Sequence, residues 1–179
     1  PAVETSNDVT FVTNSVVGSM NNPFIWNAKD LLEQSINMNR GWNWNSIYVQ
    51  PESNAVEDIF APIASIVEIA KDKEAYAMYG NRQWRGDLDE INVGKMYKVK
   101  MRRATTLSVV GEKVDPAAEV VKVKSGWNWI GYTASFNMSI ADAFADLNPQ
   151  DGDVVKSKND FAIYNSYEWV GTLTALAPG

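Results

Sequence analysis

The string Gly-Trp-Asn-Trp occurs twice, at Gly41 to Trp44 and at Gly126 to Trp129, 85 positions apart. The same offset carries Lys71 onto Lys156, Ala77 onto Ala162, Tyr79 onto Tyr164 and Trp84 onto Trp169. It also carries Gly86 onto Gly171, Leu88 onto Leu173 and Gly94 onto Gly179. Agreement at so many uncommon residues marks an internal duplication, which constrains a fold more tightly than composition does. The reading divides the chain into an N-terminal segment, 1–35, that is a candidate for completing a repeat; a first copy, 36–115; and a second, 116–179, truncated at its C-terminal end.

Within each copy the apolar residues first recur with period two. Ile36 and Met38 keep parity with Trp42 and Trp44, and Val121 and Val123 with Trp127 and Trp129, so the opening element of each copy is expected to be a strand. A short helix follows. In copy two Ser139 and Asp142 have capping-box spacing ahead of Ile140, Ala143, Phe144 and Leu147; in copy one Asn54 with Glu57 plays that part before Val56, Ile59, Phe60 and Ile63, and Pro62 should end the helix early. Short strands come next, Tyr76 to Tyr79 and Trp84 to Leu88 in copy one, Phe161 to Tyr164 and Trp169 to Leu173 in copy two, each pair bracketing a polar turn. Copy one continues through strands at Met96 to Met101 and Leu107 to Val110, beyond the point where copy two stops. Val9 to Thr13 is expected to supply a matching strand or to be the tail of a preceding copy, and Asp115 to Ala118 reads as the junction. The expected fold class is a β-rich α+β chain of two tandem repeats, each a small antiparallel sheet or barrel-like unit with one short helix, packed as two similar lobes.

Composition removes whole classes of chemistry. There is no Cys and no His, so disulfides, zinc-thiolate sites, cysteine nucleophiles and the commonest general base are absent. The formal charge is −6 and no Lys/Arg run exceeds two residues, which argues against a nucleic-acid partner. No apolar stretch reaches the roughly 20 residues that span a bilayer, so no membrane insertion is expected. Pro1 in place of a starting Met and the stop at Gly179 lead to the expectation of covalently linked neighbouring domains in a longer protein. Seven Trp in 179 residues leave binding through aromatic faces as the chemistry best represented.

A Gly-Trp-Asn-Trp strand, an acidic short helix, then Phe-Ala-x-Tyr, Trp-x-Gly-x-Leu and a closing Gly resembles tandem repeat modules of secreted and cell-surface proteins of Bacteroidetes-type bacteria. The similarity covers residues 36–179. It implies a place outside the cell, beside glycan-degrading or adhesive domains, and a likeness to non-catalytic carbohydrate-binding modules; no catalytic role attaches to the motif. Copy one departs from copy two at Asn45, where copy two has Ile130.

Trp84 and Trp169 begin a strand just after a polar turn, where side chains are more exposed, and they are the leading ligand-binding candidates. Tyr79, Tyr164 and Tyr167 stand in or beside the same turns, and Arg82 and Gln83 would donate hydrogen bonds to sugar hydroxyls. The bland alternative is that each Trp covers the glycine two residues on. Trp42, Trp44, Trp127 and Trp129 are secondary candidates, because their parity with Ile36, Met38, Val121 and Val123 favours core. Asp58 and Asp142 read as helix caps, and Lys71 and Lys156 as solvated strand positions. Asp151 and Asp153, with Asn159 and Asp160, could offer oxygen ligands to calcium, but an ordinary acidic turn is the simpler reading; otherwise no metal or cofactor is expected. The favoured function is a non-catalytic polysaccharide-binding module of a secreted or cell-surface protein, the alternative a structural or adhesive spacer, and a two-carboxylate hydrolase the least supported.

Overall fold

The computed structural model describes residues 2–6, 9–13 and 30–179, with side chains from Asp30 onward. Chain contacts divide it into residues 1–30 and 31–179. In the first unit β1 (Ala2–Ser6) and β2 (Val9–Thr13) pair antiparallel. The remainder of the expected N-terminal segment up to Lys29 lies outside the described residues.

The second unit is β-rich, with antiparallel sheets and only short helices. Strand β3 (Leu31–Met38) alternates strictly, with Gln34, Ile36 and Met38 buried and their neighbours solvated. It pairs with β10 (Thr105–Lys113), which also pairs with β5 (Val49–Pro51). A five-stranded sheet runs in the order β4 (Gly41–Asn45), β9 (Tyr97–Met101), β6 (Val67–Lys71), β7 (Tyr76–Gly80) and β8 (Gln83–Gly86). Chain corners at residues 39–40 and 102–104 pass β3 into β4 and β9 into β10. The two sheets therefore share one core, built from Ile36, Met38, Leu107 and Val109 on one side and Val67, Tyr97, Val99 and Met101 on the other. Tyr97 is buried with its hydroxyl accepting from Asn92 N at 2.8 Å, and burial pushes its pKa up to about 12.

Helix α1 (Val56–Ile59) closes this core with Val56, Ile59, Phe60 and Ile63, and the chain then tightens into a 3-10 helix at Ala61–Ile66 with Pro62 in its first turn. The expected Asn54–Glu57 cap does not form. Ala55 is the N-cap and has no side-chain bond, because Asn54 instead donates to Asn92 Oδ1 at 2.7 Å.

Residues 114–137 contain no strand, contrary to the expectation for Val121 to Trp129. The physical reason lies in pairing: Gly41–Asn45 is a strand because Tyr97–Met101 bonds along it, whereas among the described residues the aligned second segment pairs at a single bridge, Ile130 with Lys95. Beyond it come β11 (Met138–Ser139), helix α2 (Ile140–Ala143), the meander β12 (Val154–Lys156), β13 (Phe161–Asn165) and β14 (Glu168–Gly171), and β15 (Ala175–Leu176), which pairs with β11. Here Ser139 does cap its helix, accepting from Asp142 N at 3.0 Å and donating to Asp142 Oδ2 at 2.6 Å. The core of this part is small, centred on Ile140, Ala162 and Leu173.

Asn45 stands out in the larger core. It is 9% exposed, its Nδ2 is the buried side-chain nitrogen without a partner among the described residues, and it lines an interior void of about 20 Å³ beside Ile36, Met38 and Phe60. An unpaired buried amide costs about 1–3 kcal/mol. Asn45→Val, one methylene short of the aligned Ile130, is expected to stabilise the fold by about 1 kcal/mol, seen as a higher urea midpoint at unchanged slope.

Candidate functional site

Two hairpins carry the aromatic candidates. In β7–β8 the register pairs Tyr79 with Trp84 and Gly80 with Gln83, leaving Asn81 and Arg82 as a two-residue loop. In β13–β14 it pairs Tyr164 with Trp169 and Asn165 with Glu168, leaving Ser166 and Tyr167. All four loop residues have positive φ: 52° and 62° in the first hairpin, 51° and 73° in the second. A two-residue loop of that hand matches the right-handed twist of its strands, and its second position is normally Gly. Here it is Arg82 and Tyr167. A non-glycine side chain in this region costs about 1–2 kcal/mol, so each hairpin tip holds a large side chain at a conformational penalty. Tyr167 is 94% exposed, and Asp151 Oδ1 accepts from Ser166 N at 2.9 Å to brace the tip.

Beneath each tip the Trp packs in the same way. Trp84 lies 5.2 Å from Tyr79 and 5.7 Å from Phe60 between ring centres, and Trp169 lies 5.2 Å from Tyr164 and 5.7 Å from Phe144. One part of each indole is therefore anchored against the core and another half-exposed. The glycines two residues on have a separate reason. A Cβ at Gly86 would stand 2.0 Å from Tyr76 O, and one at Gly171 would stand 2.2 Å from Phe161 O, so crossing backbone fills that space.

Trp84, Tyr79, Arg82 and Gln83 line one open depression of about 480 Å³, with Glu57, Ala61 and Ala64 from the helical segment forming its other wall. That volume lies within the range of small-ligand sites. The helical wall is invisible to sequence reasoning that spends Glu57 on a cap. Its signal is Pro62, which forces the 3-10 turn that sets Ala61 and Ala64 beside the hairpin.

The Gly-Trp-Asn-Trp residues depart from expectation. Trp42 is 40% exposed, Trp127 is 62% exposed, and Trp44 and Trp129 are half-buried, whereas Asn43 and Asn45 are buried. Parity with Ile36 and Met38 fails because the corner at Asn39 and Arg40, followed by Gly41 at φ +89°, moves the chain into another sheet. The asparagine makes that corner. Asn43 Oδ1 accepts from Asn39 N at 2.9 Å while Nδ2 donates to Asn39 O at 2.7 Å and Gly41 O at 3.1 Å. Asn128 brackets Lys124 and Gly126 with the same three bonds. Outside the corner, Trp129 meets the five-stranded sheet: Lys98 Nζ lies 4.3 Å from the Trp44 ring centre and 4.4 Å from that of Trp129. Lys71, half-buried with its Nζ 5.7 Å from Trp129, is not the solvated position expected, while Lys156 is exposed.

The carboxylates serve local structure. Asp58 accepts from Ser53 Oγ at 2.5 Å, Asp87 from Tyr76 N at 2.9 Å and Asp153 from Gln150 N at 2.8 Å. Among the described residues no group of three or more Asp or Glu gathers as a metal site would require, and no helix is long and apolar enough to cross a membrane. Comparisons with protein-family models, curated proteins and solved structures returned no match.

Proposed function

We propose that the chain is a non-catalytic polysaccharide-binding module of a secreted or cell-surface protein, built from two copies of one unit, and that its principal site is the β7–β8 hairpin with Trp84. The observation that carries this reading is the depression lined by Tyr79, Arg82, Gln83 and Trp84 under a loop held in left-handed conformations. Backbone strain kept at an exposed tip is commonly a mark of function. A half-exposed indole offers a flat apolar face to a sugar ring, and Arg82 and Gln83 supply donors around it. Among the described residues Glu57 is the one carboxylate lining the depression, where a glycosidase needs two. The β13–β14 hairpin, with Trp169, Tyr164 and Tyr167, is proposed as a second site of different preference, and two modest sites on one chain gain by avidity.

The packing of Trp84 and Trp169 on Phe60 and Phe144 favours, as the second reading, a spacer in which these rings are structural. Arg82→Gly separates the two. Relief of the left-handed strain should stabilise the fold by about 1 kcal/mol, while loss of the guanidinium should weaken glycan binding about tenfold, or about 1.4 kcal/mol. Affinity electrophoresis over a panel of plant and host polysaccharides reads the binding, and urea denaturation reads the stability. A wild-type chain retarded by no polymer would leave the spacer, and Arg82→Gly binding like wild type would move the site elsewhere.

A further inference from the structure

Lys98 lies on the outer face of the five-stranded sheet, directly opposite Lys71 in the β6–β9 register. Its ammonium is shared by the Trp44 and Trp129 rings at 4.3 and 4.4 Å, and Lys71 reaches the same Trp129 ring at 5.7 Å. Burial first, then the fields of Lys71 and of Lys156 from β12, hold the Lys98 pKa below its usual value. Lys71 and Lys156 are the lysines related by the 85-residue offset.

Among the described residues no carboxylate forms an ion pair with any of the three. Other lysines nearby in sequence do find partners, Lys95 with Asp72 at 3.6 Å and Lys100 with Glu68 at 2.7 Å. Acid is not scarce in a chain with 22 Asp and Glu against 16 Lys and Arg. The indole faces ease the repulsion between the ammonium groups but supply no counter-charge.

We propose that this seam binds the carboxylate or sulfate groups of an acidic polysaccharide, with Lys71, Lys98 and Lys156 as the anion ligands and the edges of Trp44 and Trp129 as the apolar rim. The inference rests on the glycan-binding reading above but uses different residues. Three lysines in a net-acidic chain suit spaced acid groups on a sugar polymer. They do not form the broad basic stripe that a phosphate backbone calls for.

The test is affinity electrophoresis of the whole chain in gels containing polygalacturonate, chondroitin sulfate, a neutral galactan or single-stranded DNA, at low and at 0.5 M salt (about the range over which exposed charges become screened). Wild type should be retarded by the two acidic glycans more than by the neutral one, and 0.5 M salt should remove the difference. Lys156→Gln, at an exposed position, should weaken the acidic interaction about threefold, and Lys98→Gln with Lys156→Gln at least tenfold, with neutral-glycan retardation unchanged. Lys98→Gln is checked for folding by its thermal midpoint, and Lys156→Gln alone carries the test if that variant fails to fold. Equal retardation by acidic and neutral glycans, lysine variants that bind like wild type, or DNA retarding the chain as strongly as the acidic glycans would each overturn the proposal. Neutral-glycan binding that remains sensitive to Arg82→Gly would leave the hairpin site standing, whereas no response to any glycan would remove both.

Discussion

Gly86→Ala is expected to lower the unfolding free energy by about 3 kcal/mol, the upper end of what overpacking removes. The added methyl would enter the space of Tyr76 O at 2.0 Å, with Ala77 Cα 3.1 Å away, at a residue whose φ is +139°. Neither obstacle is the movable end of a side chain. Tyr76 O is also fixed from the other side, because it accepts from both Asp87 N at 2.9 Å and Leu88 N at 3.0 Å, and those bonds turn the chain so that Leu88 enters the core. Relief of the clash therefore means separating β7 from β8 or withdrawing Leu88. A lower urea midpoint with unchanged slope is the expected observation; a change below about 0.5 kcal/mol, the ordinary range of surface substitutions, would show that the strand gives way easily. Gly171→Ala meets the same obstacle in Phe161 O at 2.2 Å, but the core it perturbs is much smaller. Its effect should appear mainly as faster amide exchange in β13 and β14.

Asn43→Ala should rank beside it, at about 3 kcal/mol, while Asn128→Ala should cost about 1 kcal/mol or less. Both side chains make the same three bonds to backbone, and their surroundings differ. Asn43 is buried and its Nδ2 also donates to Val99 O at 3.4 Å, so its loss empties a buried site and removes the bonds that tie Asn39 and Gly41 into the corner. Asn128 is half-exposed and flanked by solvated residues, and water can take over its bonds. Denaturation of the two variants side by side checks the difference, and equal losses would mean that the bracket geometry, not burial, carries the stability.

These two asparagines also mark where sequence reading stops. The hairpins are legible, because alternating apolar residues around short polar turns have a local cause, and β7, β8, β13 and β14 lie close to where the pattern sets them. Strand parity misleads at Trp42 and Trp44, since counting by twos assumes one uninterrupted strand and the Asn43 bracket bends the chain between Met38 and Gly41. The missing strand at Val121 to Trp129 has a non-local cause, the absence among the described residues of a strand bonded along it, that no window of sequence contains. Lys98 escapes for a different reason: its place beside Trp44 and Trp129 depends on which segments the fold brings together, and the 85-residue offset does not encode that. Asn in the middle of a repeated motif is the available signal for the corner, and it passes easily for mere spacing between tryptophans.

The left-handed hairpin tips have one more consequence. Their shape is set by loop length and strand twist, with Asn81-Arg82 in one and Ser166-Tyr167 in the other giving φ values within about 11° of each other. The backbone is thus indifferent to which side chain it displays. Mutation can exchange the displayed residue, cation for phenol, without re-solving the folding problem. A hairpin of this kind behaves as a socket with interchangeable bits, and a chain that carries two can change the side chain displayed at one while the other keeps its own.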